Sequence, residues 1–293
     1  MSKPTDIHTK QITTSFTEIE YRTPIKFGGR VVANATLFNV DVEVETNDGR
    51  RATGHGSMPM GNAWGWPSQV EPGERTLNAM NALGQQAALL TEQHNDAGHP
   101  IEIMHDLQTS FTNSATELVQ SMKLLEPIPK LAQLVSTSPI DAAINDAYGK
   151  ALSQNSYNLL GPEFMNRDLG QFLDGDMSGL FLDQFTLRQP KEHMPLYHLV
   201  GALDPLTTTD ISAPLDDGVP ETLGDWILAD GLTHLKIKLA GDDLPWDVQR
   251  VIDIDRVTTT AQNSRGCHQW WYSTDFNEKC KDVQYVLDFL SEL

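Results

Sequence analysis

The sequence predicts an α+β domain followed by a second domain built from about three β/α units. Three observations carry that class. A valine ladder near residue 40 alternates strictly with acidic residues, the period of a half-buried strand. Between it and residue 161 lie helical patterns long enough to pack on such a sheet. Beyond residue 193, strand-like and helix-like stretches alternate three times, which implies parallel strands joined by crossover helices.

Taken in order, residues 1–15 read as polar and loose, and a strand opens at 16–21. Residues 22–29 read as a loop, broken by Pro24, Gly28 and Gly29. Val40, Val42 and Val44 then interleave with Asp41, Glu43 and Glu45. Asn47-Asp48-Gly49 is a turn signal, and 51–56 returns as the hairpin partner. The stretch 58–67 sets Met58, Met60, Trp64 and Trp66 among glycines and prolines. Large apolar groups on a loop suit contact with a neighbouring domain or with a ligand.

Helices are expected near 74–93, 112–125 and 128–135. Ser138-Pro139 has the form of a helix start, a capping serine with proline at the first helical position. Ile140, Ala143, Ile144 and Ala147 extend it as a stripe at 3.6 spacing. Past Gly161 the chain is irregular and Asp-rich, and the boundary falls between 165 and 193, giving domains 1–185 and 186–293. In the second domain strands are expected at 195–201, 232–239 and 269–274, with helices at 222–230, 246–262 and 280–293.

Bulk properties narrow the function. Of 293 residues, 39% are hydrophobic and 21% charged, so sizeable cores form. The net charge of −19, from 40 acidic and 21 basic residues, repels phosphate backbones and argues against a nucleic-acid partner. No apolar run approaches the roughly eighteen residues of a membrane span, and the polar first ten residues lack a signal core. Cys267 and Cys280 are the only cysteines, which suits a reducing, cytoplasmic compartment.

The chemistry concentrates in Thr233-His234-Leu235-Lys236-Ile237-Lys238. On a strand Lys236 and Lys238 project to one side, with Leu235, Ile237 and Leu239 on the other. Two ammonium groups held that close repel, and partial burial adds desolvation; both effects favour the neutral amine, the form that acts as a base. Competing signals are thin. Asp174-Gly175-Asp176-Met177-Ser178-Gly179 opens like a calcium loop, but position twelve is Phe185 instead of glutamate. His94, His99, His105, His193 and His198 lack zinc-motif spacing, and no Gly-x-Ser-x-Gly or phosphate-cradling glycine loop occurs.

The order of four features is informative: the hairpin, Ser138-Pro139-Ile140-Asp141-Ala142-Ala143 through Leu160-Gly161, Lys236-x-Lys238, and Asp275-Phe276-Asn277. In that order the chain resembles the enolase superfamily, specifically its mandelate racemase/muconate lactonizing enzyme group, over roughly residues 16–293. The resemblance implies an α+β capping domain over a (β/α) TIM-type barrel, with catalytic groups at the C-terminal ends of barrel strands. It implies that Lys238 abstracts a proton alpha to a carboxylate, that Lys236 is its electrostatic partner, and that Asp275 binds Mg2+. Asn277 completes the motif without needing to touch the metal. Loops 22–29 and 58–67 match the loops that close over substrate, which makes Trp64 and Trp66 candidate substrate contacts.

The implied function is metal-dependent proton abstraction on a small-molecule carboxylate, by an isomerase or lyase of the racemase, epimerase, sugar-acid dehydratase or cycloisomerase type. A homo-oligomer is common in that family. Such a barrel takes eight strands and about 250 residues, so 186–293 is expected to form an incomplete TIM-type barrel of about three βα units. The strands bearing the further metal carboxylates and the second acid or base would follow Leu293. The chain therefore reads as an N-terminal fragment or truncated product. The competing reading is a non-catalytic fragment or interaction module that retains the capping domain.

Overall fold

A computed structural model describes residues 2–27, 30–173 and 175–293. Two compact units make up the chain: Met1–Arg22 with Ala33–Pro190, and Thr23–Val32 with Lys191–Leu293. The division falls after Pro190, and the second unit also takes in Thr23–Val32.

Unit 1 is built on the strands β1 (Ile7–Phe27), β2 (Arg30–Thr46) and β3 (Arg51–Pro59), in the order β1–β2–β3. The expectation of a loose residue 1–15 segment is overturned. Ile7 is fully buried and exchanges backbone hydrogen bonds with Gly98, and the Thr- and Ile-rich run beyond it continues as strand. Likewise β1 runs through Pro24 to Phe27 where a loop was expected; Gly28 and Gly29 lie outside the described residues. The hairpin forms as read, with β2 antiparallel to β3 and Val40, Val42 and Val44 opposite Gly56, Gly54 and Ala52. All three valines are fully buried.

The helices of unit 1 are α1 (Asn62–Gly65), α2 (Gly73–Glu92), α3 (Pro100–Ser121) and α4 (Lys130–Leu152). They bury one apolar cluster against the sheet, including Phe38, Met80, Leu83, Ile140 and Ile144. α4 lies backbone to backbone on β3. A Cβ at Gly54 would stand 2.1 Å from the Ala143 carbonyl oxygen, and one at Gly56 would stand 2.0 Å from that of Pro139. Only glycine permits that approach.

Ser138-Pro139 is not a helix start, because α4 passes straight through Pro139. Proline lacks the N–H that would bond to Val135 four residues back. Ser138 supplies a substitute, its hydroxyl donating to the Val135 carbonyl at 3.0 Å. The true start of α3 is also earlier than expected, since His99 and Glu102 form a reciprocal capping box ahead of residue 112.

Unit 2 is a βα repeat: β4 (Tyr197–Val200), α5 (Leu223–Asp230), β5 (His234–Lys238), α6 (Leu244–Ser264), β6 (Trp271–Asp275) and α7 (Val283–Glu292). β5 is the central strand, parallel to β4 and to β6. Leu235 and Ile237 are fully buried with Ile227, Ile254 and Phe289 of the three helices. The other face therefore carries His234, Lys236 and Lys238. Among the described residues, no helix is long and apolar enough to cross a membrane.

Candidate active site

Parallel register puts the functional side chains in rows. Leu199, Lys236 and Ser273 stand side by side, and one step further along the same face Lys238 stands opposite Asp275. Both lysines reach one carboxylate oxygen. Asp275 Oδ2 lies 2.8 Å from Lys236 Nζ and 2.7 Å from Lys238 Nζ. Lys238 also donates to Asn277 Oδ1 at 2.6 Å, while Asp275 Oδ1 accepts the Asn277 backbone N–H at 2.9 Å. Asn277 has a positive φ of 52°, the left-handed region asparagine tolerates, which turns its side chain back towards the strand end. The structure thus brings Lys236, Lys238, Asp275 and Asn277 together.

The electrostatics differ from the expected repulsion. Burial alone would raise the Asp275 carboxyl, but hydrogen bonds from Lys236 and Lys238 and from the Asn277 N–H hold it well below its ordinary range. The Asp275 hydrogen bond in turn raises Lys236 above its usual value, against a smaller effect of burial. A carboxylate between two ammonium groups cancels the mutual repulsion that would have favoured neutral Lys236. Lys238 is the more enclosed of the pair, its side chain 10% exposed against 32% for Lys236. Pro24, Ile25 and Lys26 line a small enclosed pocket beside Lys238, together with Leu199, Gly201 and Asp204.

The candidate tryptophans belong to unit 1. Trp66 is buried there and its indole N–H donates to Glu126 Oε1 at 2.6 Å, whereas Trp64 is half exposed. The calcium-like loop begins at Asp174, outside the described residues.

Divalent-metal chemistry calls for several oxygen ligands. Among the described residues, no three of His, Cys, Asp and Glu come together as a metal-holding group. Of the strand-end cluster only Asp275 is a carboxylate, and its oxygens are taken up by Lys236, Lys238 and the Asn277 N–H. The described residues do not fit a magnesium site.

Sequence reading missed Asp247. It is fully buried and binds the turn that follows β5. The available signal was an acidic residue in the first turn of a helix capped by Asp243, a placement usually explained by the helix dipole alone.

No protein-family model and no curated protein sequence matches the chain. Solved structures do. An enolase from Bradyrhizobium, complexed with magnesium and mandelic acid, matches with a TM-score of 0.56 at 15% identity, over 98% of this chain and 59% of that one. The L-Ala-D/L-Glu epimerase from Bacillus subtilis, in a substrate-liganded complex, matches with a TM-score of 0.56 at 16% identity, over 97% of this chain and 57% of that one. Muconate lactonizing enzyme from Pseudomonas fluorescens, complexed with muconolactone, matches with a TM-score of 0.51 at 17% identity, over 98% and 57%. The chain spans less than two thirds of the length of these structures. Over the matched part, its fold is that of these solved structures.

Proposed function

We propose that the chain carries the lysine side of a site that abstracts a proton alpha to a carboxylate. The reaction class is that of racemases, epimerases, sugar-acid dehydratases and cycloisomerases. One observation supports it above the rest: Lys236, Lys238 and Asp275 meet at the C-terminal ends of adjacent parallel strands, the end at which barrel enzymes place their chemistry. In this reading Lys238 is the base. Its neutral amine takes the alpha proton, the C–H bond breaks as the N–H bond forms, and the electron pair delocalises into the substrate carboxylate. Lys236, held as an ammonium, faces that developing charge. Asn277 orients Lys238. The substrate is a small carboxylate, the compartment is the cytoplasm, and a homo-oligomer accompanies the family reading.

Magnesium enters this reading from structural neighbours, among them structures solved with that ion bound. The described residues do not supply its ligand set, so no step is drawn through it.

A second reading, a non-catalytic module retaining the capping unit, is favoured by one observation. The only carboxylate of the cluster is already engaged by both lysines. Deuterium exchange at the alpha carbon of a panel of sugar acids and dipeptides separates the two. Exchange that disappears in Lys238→Met supports the lysine base, and exchange that survives the substitution removes it. Absence of exchange with every panel member in the unmodified chain favours the non-catalytic module.

A further inference from the structure

Asp247 is a fully buried carboxylate whose side-chain hydrogen bonds among the described residues all come from neutral donors. Three donors converge on it. Oδ1 accepts the Ala240 N–H at 2.6 Å, Oδ2 accepts the Gly241 N–H at 2.9 Å, and Oδ2 also accepts the Tyr285 hydroxyl at 2.7 Å. Burying a carboxylate is costly unless hydrogen bonds replace its water. A neutral residue would satisfy a helix start at lower cost, and Asp243 already caps α6 by accepting the Trp246 N–H. The buried charge therefore needs another explanation.

Its partners supply one. Ala240 and Gly241 form the turn directly after Lys238, and that turn leans on the one that follows β6. Leu239 N–H donates to the Asp275 carbonyl at 2.9 Å. A Cβ on Gly241, whose φ is +77°, would stand 2.9 Å from the Phe276 carbonyl oxygen and from Lys279 Cβ. Phe276 packs edge-on against Tyr285 and Phe289 of α7. The contacts close a ring from Asp247 through the β5 turn to Lys238, across to Asp275 and Asn277, and back through Phe276 and Tyr285.

We infer that Asp247 is a positioning residue for the strand-end cluster, its carboxylate fixing the 239–241 turn and thereby the place of the Lys238 amine. The inference rests on the reading of Lys238 as the site base. It adds a residue 9 positions downstream that touches none of the reacting groups but sets where one of them stands. Asparagine in its place keeps the shape, but its amide nitrogen would confront the Ala240 N–H in one orientation and the Gly241 N–H together with the tyrosine hydroxyl in the other, leaving one turn donor unsatisfied either way.

The test reads Lys238 directly. The chain is dimethylated with 13C-formaldehyde, and the Lys238 resonance is identified by its absence from Lys238→Arg. In Asp247→Asn the resonance should move towards the position shared by exposed lysines, while far-UV circular dichroism stays unchanged. Asp242→Asn removes an exposed carboxylate of the same turn and should leave the resonance in place. A folded Asp247→Asn whose Lys238 signal does not move overturns the inference, as does an equal movement in Asp242→Asn. If Asp247→Asn fails to fold, Tyr285→Phe decides, because it deletes only the third donor: a smaller movement in the same direction supports the inference and none overturns it. Where alpha-carbon exchange is measurable, Asp247→Asn should lower kcat by about a hundredfold with little change in KM, as for a displaced catalytic group. Failure of all exchange in the unmodified chain would retire the proposed reaction and leave the resonance result standing.

Discussion

Lys238 and Asp275 face each other in register on neighbouring parallel strands, and Lys236 shares the same carboxylate oxygen. That shared oxygen makes the two lysines dependent on one residue. In Asp275→Asn, Lys236 should lose its main support and titrate at lower pH, as measured by dimethyl-lysine NMR. The stability sign follows from the raised pKa. The contribution of Lys236 is present below its unfolded-state value and is lost as pH rises through the folded one. Asp275→Asn should therefore be less stable than the unmodified chain by about 1 kcal/mol or less near neutral pH, because Lys236 is partly solvated, and that part of the difference should close as pH rises through the folded-state value. An unchanged Lys236 titration would refute the coupling.

His99 gives unit 1 a dependence on acid. The ring is fully buried; its Nδ1 accepts the Ile101 N–H and its Nε2 lies 3.0 Å from the Leu159 carbonyl. Burial pushes its pKa down to about 4, against the smaller upward pull of the Leu159 hydrogen bond. The unfolded chain binds this proton first, so stability should fall as pH drops from about 6.5 towards about 4 and then level off. The loss is on the order of 3 kcal/mol. His99→Asn keeps a capping acceptor and should flatten that limb of a urea-midpoint profile relative to the unmodified chain. Parallel profiles would show that other groups carry the acid sensitivity.

Gly54 and Gly56 set the distance between β3 and α4. A methyl group at either position meets helix backbone near 2 Å, and backbone cannot swing aside as a side-chain tip can. Gly54→Ala or Gly56→Ala should destabilise by about 3 kcal/mol or more, beyond the usual cost of overpacking. Gly49→Ala, with nothing within 4 Å of its added carbon, meets no such clash and pays only for its positive φ of +89°. Thermal unfolding of the three variants checks the order; equal melting points would remove the close-packing argument.

Much of this was legible beforehand, and the exceptions have physical causes. The valine ladder and the lysine strand announced themselves because one face of each is buried, so their alternation is regular. The part of β1 before residue 16 was hidden because residues 9–15 are mostly polar, which leaves β propensity as the sole signal. The cluster of Lys236, Lys238 and Asp275 could be named from residue order, but not the sharing of one oxygen, which depends on register. Asp247 was invisible because two of its three donors are backbone N–H groups, which leave no mark in a sequence, and the third, Tyr285, lies 38 positions away.

Pro139 offers the sharpest test of local reasoning. Its ring deprives the Val135 carbonyl of a helical donor, and the Ser138 hydroxyl occupies that acceptor at 3.0 Å. Ser138→Ala should therefore cost about 1 kcal/mol in the native background, the net value of a typical hydrogen bond. In Pro139→Ala the backbone N–H returns and can bond to Val135 itself, so the same serine substitution should cost close to nothing. The coupling between the two positions, read from a double-mutant cycle of urea unfolding, should then be of the same size as the single serine effect. Strictly additive effects would mean that the hydroxyl does not substitute for the missing N–H, and that α4 tolerates its proline through packing against β3 alone.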